Sequence, residues 1–179
     1  GSFAGPNTPY QEVTSKPGNA DSAMVGSSGS KLERLALVTA MGRSLPMLLA
    51  INEAMHIAMA GDPDVILLGE DVAGGGGRAD QGIEEAWGGI MGATKGLLKR
   101  FGPERVLDTP ISEMGFLSAA VGCAATGMRP IVELMFMDFI GVSLDPLLNQ
   151  AAKLRYMLGG KARVPLTVRT LVGAGLRAA

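Results

Sequence analysis

The sequence predicts an α/β protein in which a parallel sheet carries helices on both faces. Short apolar runs alternate with segments of helical spacing, in the order helix, then strand–helix three times, then a last strand. The run Val65-Ile66-Leu67-Leu68 is apolar throughout, which is typical of a strand buried on both faces. Alternation of buried strands with helices favours a parallel sheet, and ligands of such sheets bind beyond the carboxyl ends of the strands.

Residues 1–43 are predicted to form a flexible leader or expression tag, and residues 44–179 the folded domain. Fourteen of the first 30 residues are Gly, Ser or Pro, and no apolar periodicity is visible there. Such a stretch buries too little apolar surface to offset the entropy of ordering it.

The first half of the domain is predicted as helix, strand, helix and strand. Ser44 is expected to cap a helix with Pro46 in its first turn, and Gly61-Asp62-Pro63 to end it. A buried strand then covers 65–68, a helix 92–101 and a short strand 105–107.

The second half continues with a helix, a strand, a helix and a strand. Small residues dominate 112–127, so we expect this helix to pack closely on its neighbours. A strand covers 130–136, and Ser143 is expected to cap a helix with a leucine stripe that ends at Gly159-Gly160. The last strand is predicted at 165–172.

Charge and composition exclude several classes of protein. Sixteen basic and 17 acidic residues give a net charge of −1, without the basic surplus of a nucleic-acid-binding protein. No apolar run approaches the roughly 20 residues of a membrane helix. Cys123 is the single cysteine, which excludes an intrachain disulfide and favours a reducing, cytoplasmic location. His56 is the single histidine and has no evident nucleophile as a partner, so we interpret it as structural.

Polar and aromatic side chains follow the predicted strands, where a ligand would bind. Glu70 follows the first strand, Glu113 comes shortly after the second, and Phe139 follows the third. Each also has a purely structural interpretation. A carboxylate at a helix start is stabilised by about 0.3–1 kcal/mol through the helix dipole, Glu70 could belong to a polar loop, and most Phe residues are core residues.

Two glycine-rich segments do not indicate a nucleotide site. The run Gly74–Gly77 has no Lys-Ser or Lys-Thr at the spacing of a phosphate-binding loop, so we interpret it as a loop. The segment Gly173-Ala174-Gly175-Leu176-Arg177-Ala178 has dinucleotide-binding spacing, but such a site needs a helix that begins there to bind the pyrophosphate, and we do not expect one.

Taken together, several segments resemble the beta subunit of the thiamine-diphosphate-dependent 2-oxoacid dehydrogenases, from about Leu45 to Gly175. They are Glu70-Asp71-Val72, GPERVLDTPISEMGF at 102–116, GMRPIVELMFMDF at 127–139 and NQAAK at 149–153. Trp87-Gly88-Gly89, in a glycine-rich insertion, is most similar to the acetoin dehydrogenase branch. The resemblance implies the fold of the transketolase pyrimidine-binding domain.

The resemblance also implies the roles of five residues. Glu113 matches the glutamate that hydrogen-bonds N1′ of the cofactor's aminopyrimidine ring, which promotes removal of the thiazolium C2 proton. Phe139 matches the ring that stacks on the aminopyrimidine. Ile111 and Met135 match apolar residues that hold the cofactor bent, and Glu70 matches an acidic residue near its amino group.

Other family features have no counterpart in the sequence, which contains no Gly-Asp-Gly motif for Mg²⁺. The resemblance implies that an alpha subunit supplies the Mg²⁺ site, and that a C-terminal domain beyond this chain carries much of the subunit interface and contacts the lipoyl acyltransferase. We therefore expect a truncated beta subunit that is inactive alone. The alternatives are a catalytically silent assembly fragment that forms homo-oligomers, and the beta subunit of a pyruvate or branched-chain 2-oxoacid dehydrogenase.

Overall fold

The computed structural model describes residues 44–74, 88–89 and 91–173. The chain divides into two units, Gly1–Ser44 and Leu45–Ala179, and of the first unit only Ser44 is described. The predicted leader, most of the glycine run and the dinucleotide-like segment after Gly173 therefore lie outside the described residues.

The described helices and strands follow the predicted order. They are α1 (Met47–Gly61), β1 (Val65–Gly69), α2 (Leu97–Phe101), β2 (Val106–Asp108), α3 (Glu113–Ala125), β3 (Arg129–Phe136), α4 (Leu154–Met157) and β4 (Thr167–Leu171). Between β3 and α4 lie a 3₁₀-helical segment at Met137–Ser143 and a π-helical segment at Pro146–Ala151.

The four strands form one parallel sheet in the order β2-β1-β3-β4, which confirms the predicted fold class. Gly69, at the end of β1, is in register with Asp108 on one side and Glu133 on the other. Because all strands run the same way, the segments that follow β1, β2 and β3 lie at one edge of the sheet.

Each face of the sheet carries its own apolar core. On the first face, Leu67 packs with Met55 and Met59 of α1 and with Leu97 of α2. On the second face, Leu68 packs with Phe116, Leu117 and Ala120 of α3, together with Val132 and Leu134 of β3. All five residues of β1 are buried, as the apolar run predicts for a central strand.

The helix predicted at 92–101 is wrong over its first half. Turns occupy 91–96, and α2 covers only Leu97–Phe101. Gly96 is left-handed (φ 83°), so a continuous helix cannot pass through it. The carbonyls of Ala93 and Lys95 instead accept hydrogen bonds from Asn52 of α1, at 2.8 and 3.0 Å.

The predicted caps are also wrong at two helices. Pro46, not Ser44, occupies the N-cap position of α1. The Ser143 hydroxyl donates to the Phe139 carbonyl at 3.2 Å and so ends a 3₁₀ segment rather than starting a helix. The leucine stripe that follows is divided between the π-helical segment and α4. None of the helices in the described part of the chain is long and apolar enough to cross a membrane.

Candidate functional site

Two buried carboxyl side chains lie together at the carboxyl edge of the sheet. Glu70 directly follows β1 and is 7 % exposed, and Glu113 is the first residue of α3 and is 9 % exposed. The loop between β2 and α3 brings them together, because the Thr109 N–H donates to the Gly69 carbonyl at 2.9 Å. The backbone N–H of Ser112 then hydrogen-bonds the Glu70 carboxylate.

The surroundings of Glu70 favour its protonated form. Burial raises the pKa of the Glu70 carboxyl above its ordinary value of 4.5, and repulsion by Glu113 and by Asp71 adds to the rise. The hydrogen bond from Ser112 opposes these effects without cancelling them. Oε1 of Glu70 is buried and has no hydrogen-bond partner within the described residues. Since buried polar atoms are nearly always paired, this oxygen is available to a ligand.

Glu113 lies at the N-terminus of a helix of 13 residues. The preceding Ser112 provides no side-chain cap, because its hydroxyl donates back to the Pro110 carbonyl at 3.2 Å. The first N–H groups of α3 therefore lack that cap, and their partial positive charge stabilises an anion here. Glu113 can fulfil the structural role and still present its carboxylate to a ligand.

An aromatic ring lies on the same side of the sheet as the two acids. Phe139, in the 3₁₀ segment after β3, packs against the second core, which contains Phe116 one helical turn after Glu113. Its ring also meets that of Phe136 edge-on, with centroids 6.0 Å apart and planes at 75°. The ring is only half-buried.

The two predicted apolar residues differ in their surroundings. Met135 is half-buried near the end of β3, whereas Ile111, in the loop before α3, is 85 % exposed. No described part of this chain covers Ile111, so the structure does not bring it into a pocket with the other predicted residues.

Residues 70–74, which we call the Glu70 turn, are held by side chains that sequence reasoning did not assign to the site. The Thr94 hydroxyl donates to the Val72 carbonyl at 2.7 Å, and Asp108 accepts a hydrogen bond from the Ala73 N–H at 2.6 Å. Asp108 lies in the segment 102–116 that carries the family resemblance, but the sequence assigns it no role in the site. Nothing in the sequence pattern indicated Thr94, which falls inside the wrongly predicted helix.

A buried ion pair lies on the opposite face, between Glu133 of β3 and Arg169 of β4. Burial lowers the pKa of Arg169 to about 10, and its Nε has no partner among the described residues. The pair joins the two strands, and Glu133 faces away from the second core, because its strand neighbours Val132 and Leu134 belong to that core and successive side chains point to opposite faces.

His56 makes two side-chain hydrogen bonds in the described part of the chain. Its Nδ1 accepts a hydrogen bond from the Arg100 guanidinium at 3.3 Å, so its Nε2 carries the proton toward the Lys95 carbonyl, also at 3.3 Å. Among the described residues, no group of three or more His, Cys, Asp or Glu side chains is arranged to hold a metal ion.

Comparison with known families agrees with this fold. Residues 43–179 match the family described as "Transketolase, pyrimidine binding domain". The chain belongs to this family.

The similar curated proteins are beta subunits of dehydrogenases. The chain is 60 % identical over 139 residues to the acetoin:2,6-dichlorophenolindophenol oxidoreductase subunit beta of Bacillus subtilis, and 58 % identical over 139 residues to that of Cupriavidus necator. It is 41 % identical over 133 residues to the 2-oxoisovalerate dehydrogenase subunit beta of Pseudomonas aeruginosa. These matches cover 78 %, 78 % and 74 % of this chain, and 41 %, 40 % and 35 % of those proteins. The chain therefore spans about two fifths of the length of the two acetoin oxidoreductase subunits that it matches.

Proposed function

We propose that this chain supplies the aminopyrimidine half of a thiamine diphosphate site in a two-subunit dehydrogenase that cleaves acetoin. The observation that carries the proposal is the buried pair Glu70 and Glu113, with half-exposed Phe139 on the same side of the sheet, in a member of a pyrimidine-binding family.

The donor and acceptor groups at this edge fit an aminopyrimidine. The ring offers a basic nitrogen, N1′, and an exocyclic amino group with hydrogen-bond donors. Glu113 would hold a proton against N1′, and the unpartnered Oε1 of Glu70 would accept from the amino group. Phe139 would lie against the ring face, where aromatic contact adds about 0.5–1.5 kcal/mol beyond area burial.

When bound, thiamine diphosphate supplies a nucleophilic carbon and an electron sink for the carbonyl substrate. The residues of this chain act on the pyrimidine side. Glu113 would hold a proton at N1′, which would favour the imino form of the amino group, and the imino nitrogen can accept the neighbouring C2 proton. Glu70 would orient the amino group, and Met135 would provide apolar surface beside the cofactor, as Ile111 would once a partner subunit covers it.

The diphosphate half of the site is assigned to a partner. The sequence contains no Gly-Asp-Gly motif, so an alpha subunit would hold the Mg²⁺ and the diphosphate. Ile111, exposed in this chain, would then be covered when the two subunits enclose the cofactor. Transfer of the two-carbon fragment to a lipoyl group on an acyltransferase would complete the reaction.

Acetoin is preferred as the substrate because the acetoin-specific relatives reach 58–60 % identity, against 41–42 % for the 2-oxoisovalerate and pyruvate dehydrogenase subunits. A beta subunit for pyruvate or a branched-chain 2-oxoacid is the alternative within the same reaction class.

Calorimetry with the alpha subunit present tests the proposal. Thiamine diphosphate and Mg²⁺ are titrated into the mixture of this chain and an alpha subunit of an acetoin dehydrogenase. We expect binding by the wild-type mixture, weaker binding by at least tenfold for Glu113→Ala, and no loss for Glu104→Ala, a matched change at an exposed glutamate. Absence of binding at millimolar cofactor would overturn the proposal.

A second candidate is an assembly fragment without catalysis. Exposed apolar side chains favour it, because Tyr156 is 88 % exposed and Met157, Leu158 and Leu148 are exposed as well. Large exposed apolar patches are typical of association surfaces. If the chain associates with an alpha subunit but no cofactor binds, this second function replaces the first.

A further inference from the structure

The Glu70 turn departs from relaxed backbone geometry immediately after the site carboxyl. Asp71 has φ 56° and is the one residue other than glycine with a positive φ in the described part of the chain. Asp tolerates this left-handed conformation better than most residues, but such a conformation persists only where the surroundings enforce it. Groups outside the turn must therefore hold it in this conformation.

Two side chains from other parts of the fold hold the turn by its backbone. Thr94, only 1 % exposed, donates its hydroxyl proton to the Val72 carbonyl at 2.7 Å. Asp108 accepts the Ala73 N–H at 2.6 Å. The two hydrogen bonds therefore hold consecutive residues, Val72 through its carbonyl oxygen and Ala73 through its N–H.

Both side chains are themselves fixed to regular elements. Asp108 ends β2, in register with Gly69 of β1. The Thr94 N–H donates to the Gly88 carbonyl at 2.8 Å, and Asn52 of α1 binds the carbonyls on either side, those of Ala93 and Lys95. The Glu70 turn is thus held between the end of β2 and a loop fastened to α1.

We propose that Thr94 and Asp108 are positioning residues of the site, which fix the location of the Glu70 carboxyl beside Glu113 by holding the backbone of the turn that carries it. The proposal goes beyond the five residues already assigned. Its consequence for cofactor binding rests on the proposed function, whereas the location of Glu70 does not.

Electrostatic repulsion makes these two contacts necessary. The charged groups that face Glu70 are Glu113 of α3 and Asp71 of its own turn, and Asp71 also faces Asp108. Four acidic side chains therefore lie along one edge of the sheet. Without the two hydrogen bonds, repulsion would move Glu70 away from Glu113 toward water. Its pKa, which burial and these neighbours raise, would then fall toward the ordinary value of 4.5.

The pKa of Glu70 reports on this location. It is measured by carbon-13 NMR of the full chain, labelled at the glutamate carboxyl carbons. The Glu70 signal is assigned with Glu70→Gln and titrated in the wild type, Thr94→Val and Thr94→Ser. Valine keeps the shape of threonine without its donor, and serine keeps the donor. We expect Thr94→Val to lower the Glu70 pKa toward 4.5 and Thr94→Ser to preserve the wild-type titration.

Asp108 gives an independent pair of variants if Thr94→Val does not fold. Asp108→Asn keeps an oxygen acceptor for the Ala73 N–H, whereas Asp108→Ala removes it. We expect only Asp108→Ala to lower the Glu70 pKa. A purely structural role would lower the melting temperature of both Thr94→Val and Asp108→Ala and leave the Glu70 titration unchanged, and this result would overturn the proposal.

Cofactor binding, measured on the same variants with the alpha subunit present, separates this inference from the proposed function. If thiamine diphosphate does not bind even the wild type, but the Glu70 titration responds as expected, the proposed function fails and the positioning role stands. If the wild type binds the cofactor and no variant changes the Glu70 titration, the positioning role fails alone.

Discussion

At the scale of single residues, the main feature of the site is that the buried carboxyl groups of Glu70 and Glu113 lie close together. Burial and the neighbouring charges of Glu113 and Asp71 all raise the Glu70 pKa, and only one backbone N–H opposes them. A folded protein that holds a proton more tightly than the unfolded chain loses stability as pH rises through the raised pKa. Glu70 in its ionised form therefore destabilises the fold.

Removing this charge is expected to stabilise the protein. Below pH 4.5 both states bind the proton and Glu70 contributes no pH dependence. Above it the unfolded chain releases the proton first, so the free energy of unfolding of the wild type falls until the folded state also ionises. In Glu70→Gln the free energy of unfolding should not show this decrease, so the variant should be more stable than the wild type at neutral pH. Urea unfolding at mildly acidic and neutral pH measures the difference. An equal gain from Glu104→Gln, at an exposed site, would contradict the explanation.

Removing one charge from the ion pair of Glu133 and Arg169 should instead destabilise the protein, because each partner neutralises the other. Arg169→Met leaves the buried Glu133 carboxylate without its cation, and breaking such a pair costs about 3–5 kcal/mol. The double variant Glu133→Leu with Arg169→Met removes both charges and should recover most of that loss in denaturant unfolding. If the double variant is as unstable as the single one, packing and not charge explains the effect.

Part of the site could be predicted from the sequence because of its position in the fold. Glu70, Glu113 and Phe139 could be selected because a parallel sheet brings the residues after its strands to one edge. Their proposed roles remain predictions. Thr94 could not be selected, because its contact with Val72 joins residues 22 positions apart through a turn that helical periodicity does not reveal.

At the scale of elements, the end of β1 depends on a close approach of two backbones. A Cβ at Gly69 would lie 2.8 Å from the Glu133 carbonyl oxygen and 2.9 Å from the Glu133 Cβ, closer than real contacts allow. Since Glu133 belongs to the neighbouring strand, neither atom can move away without distorting the sheet.

Gly69→Ala should therefore destabilise the domain by about 1–3 kcal/mol, as overpacking of a core does. Gly122→Ala is the matched control, since no atom lies within 4 Å of a Cβ there and the position is helical. It should stabilise α3 by roughly 0.5–1 kcal/mol. Thermal unfolding of both variants measures the two opposite signs. A loss from Gly122→Ala as large as that from Gly69→Ala would contradict the close approach.

The strands were more predictable than the helices for a physical reason. β1 and the middle of β3 are apolar runs whose pattern follows their burial, and all four strands were predicted within two residues of each end. The helices at 92–101 and from Ser143 onward failed because local contacts compete there with the helical ladder. Examples are the left-handed Gly96 and the Ser143 hydroxyl bonded to its own preceding turn.

At the scale of the whole molecule, the surface retains apolar side chains that a partner would cover. Tyr156, Met157 and Leu158 are exposed on and beside α4, and Val172 is exposed after β4. We expect the chain alone to self-associate, and Tyr156→Ser with Met157→Ser to reduce that association. Light scattering over a range of concentrations measures it. A monodisperse wild-type monomer at high concentration would contradict the expectation.

The most direct test of the central claim is whether the aminopyrimidine of thiamine contacts Glu113. The chain, labelled with carbon-13 at its glutamate carboxyl carbons, is mixed with unlabelled alpha subunit and titrated with thiamine diphosphate and Mg²⁺. Binding should shift the Glu113 and Glu70 carboxyl signals and leave that of the exposed Glu104 in place. Binding that leaves the Glu113 signal unchanged would contradict the claim, and so would a complete absence of binding.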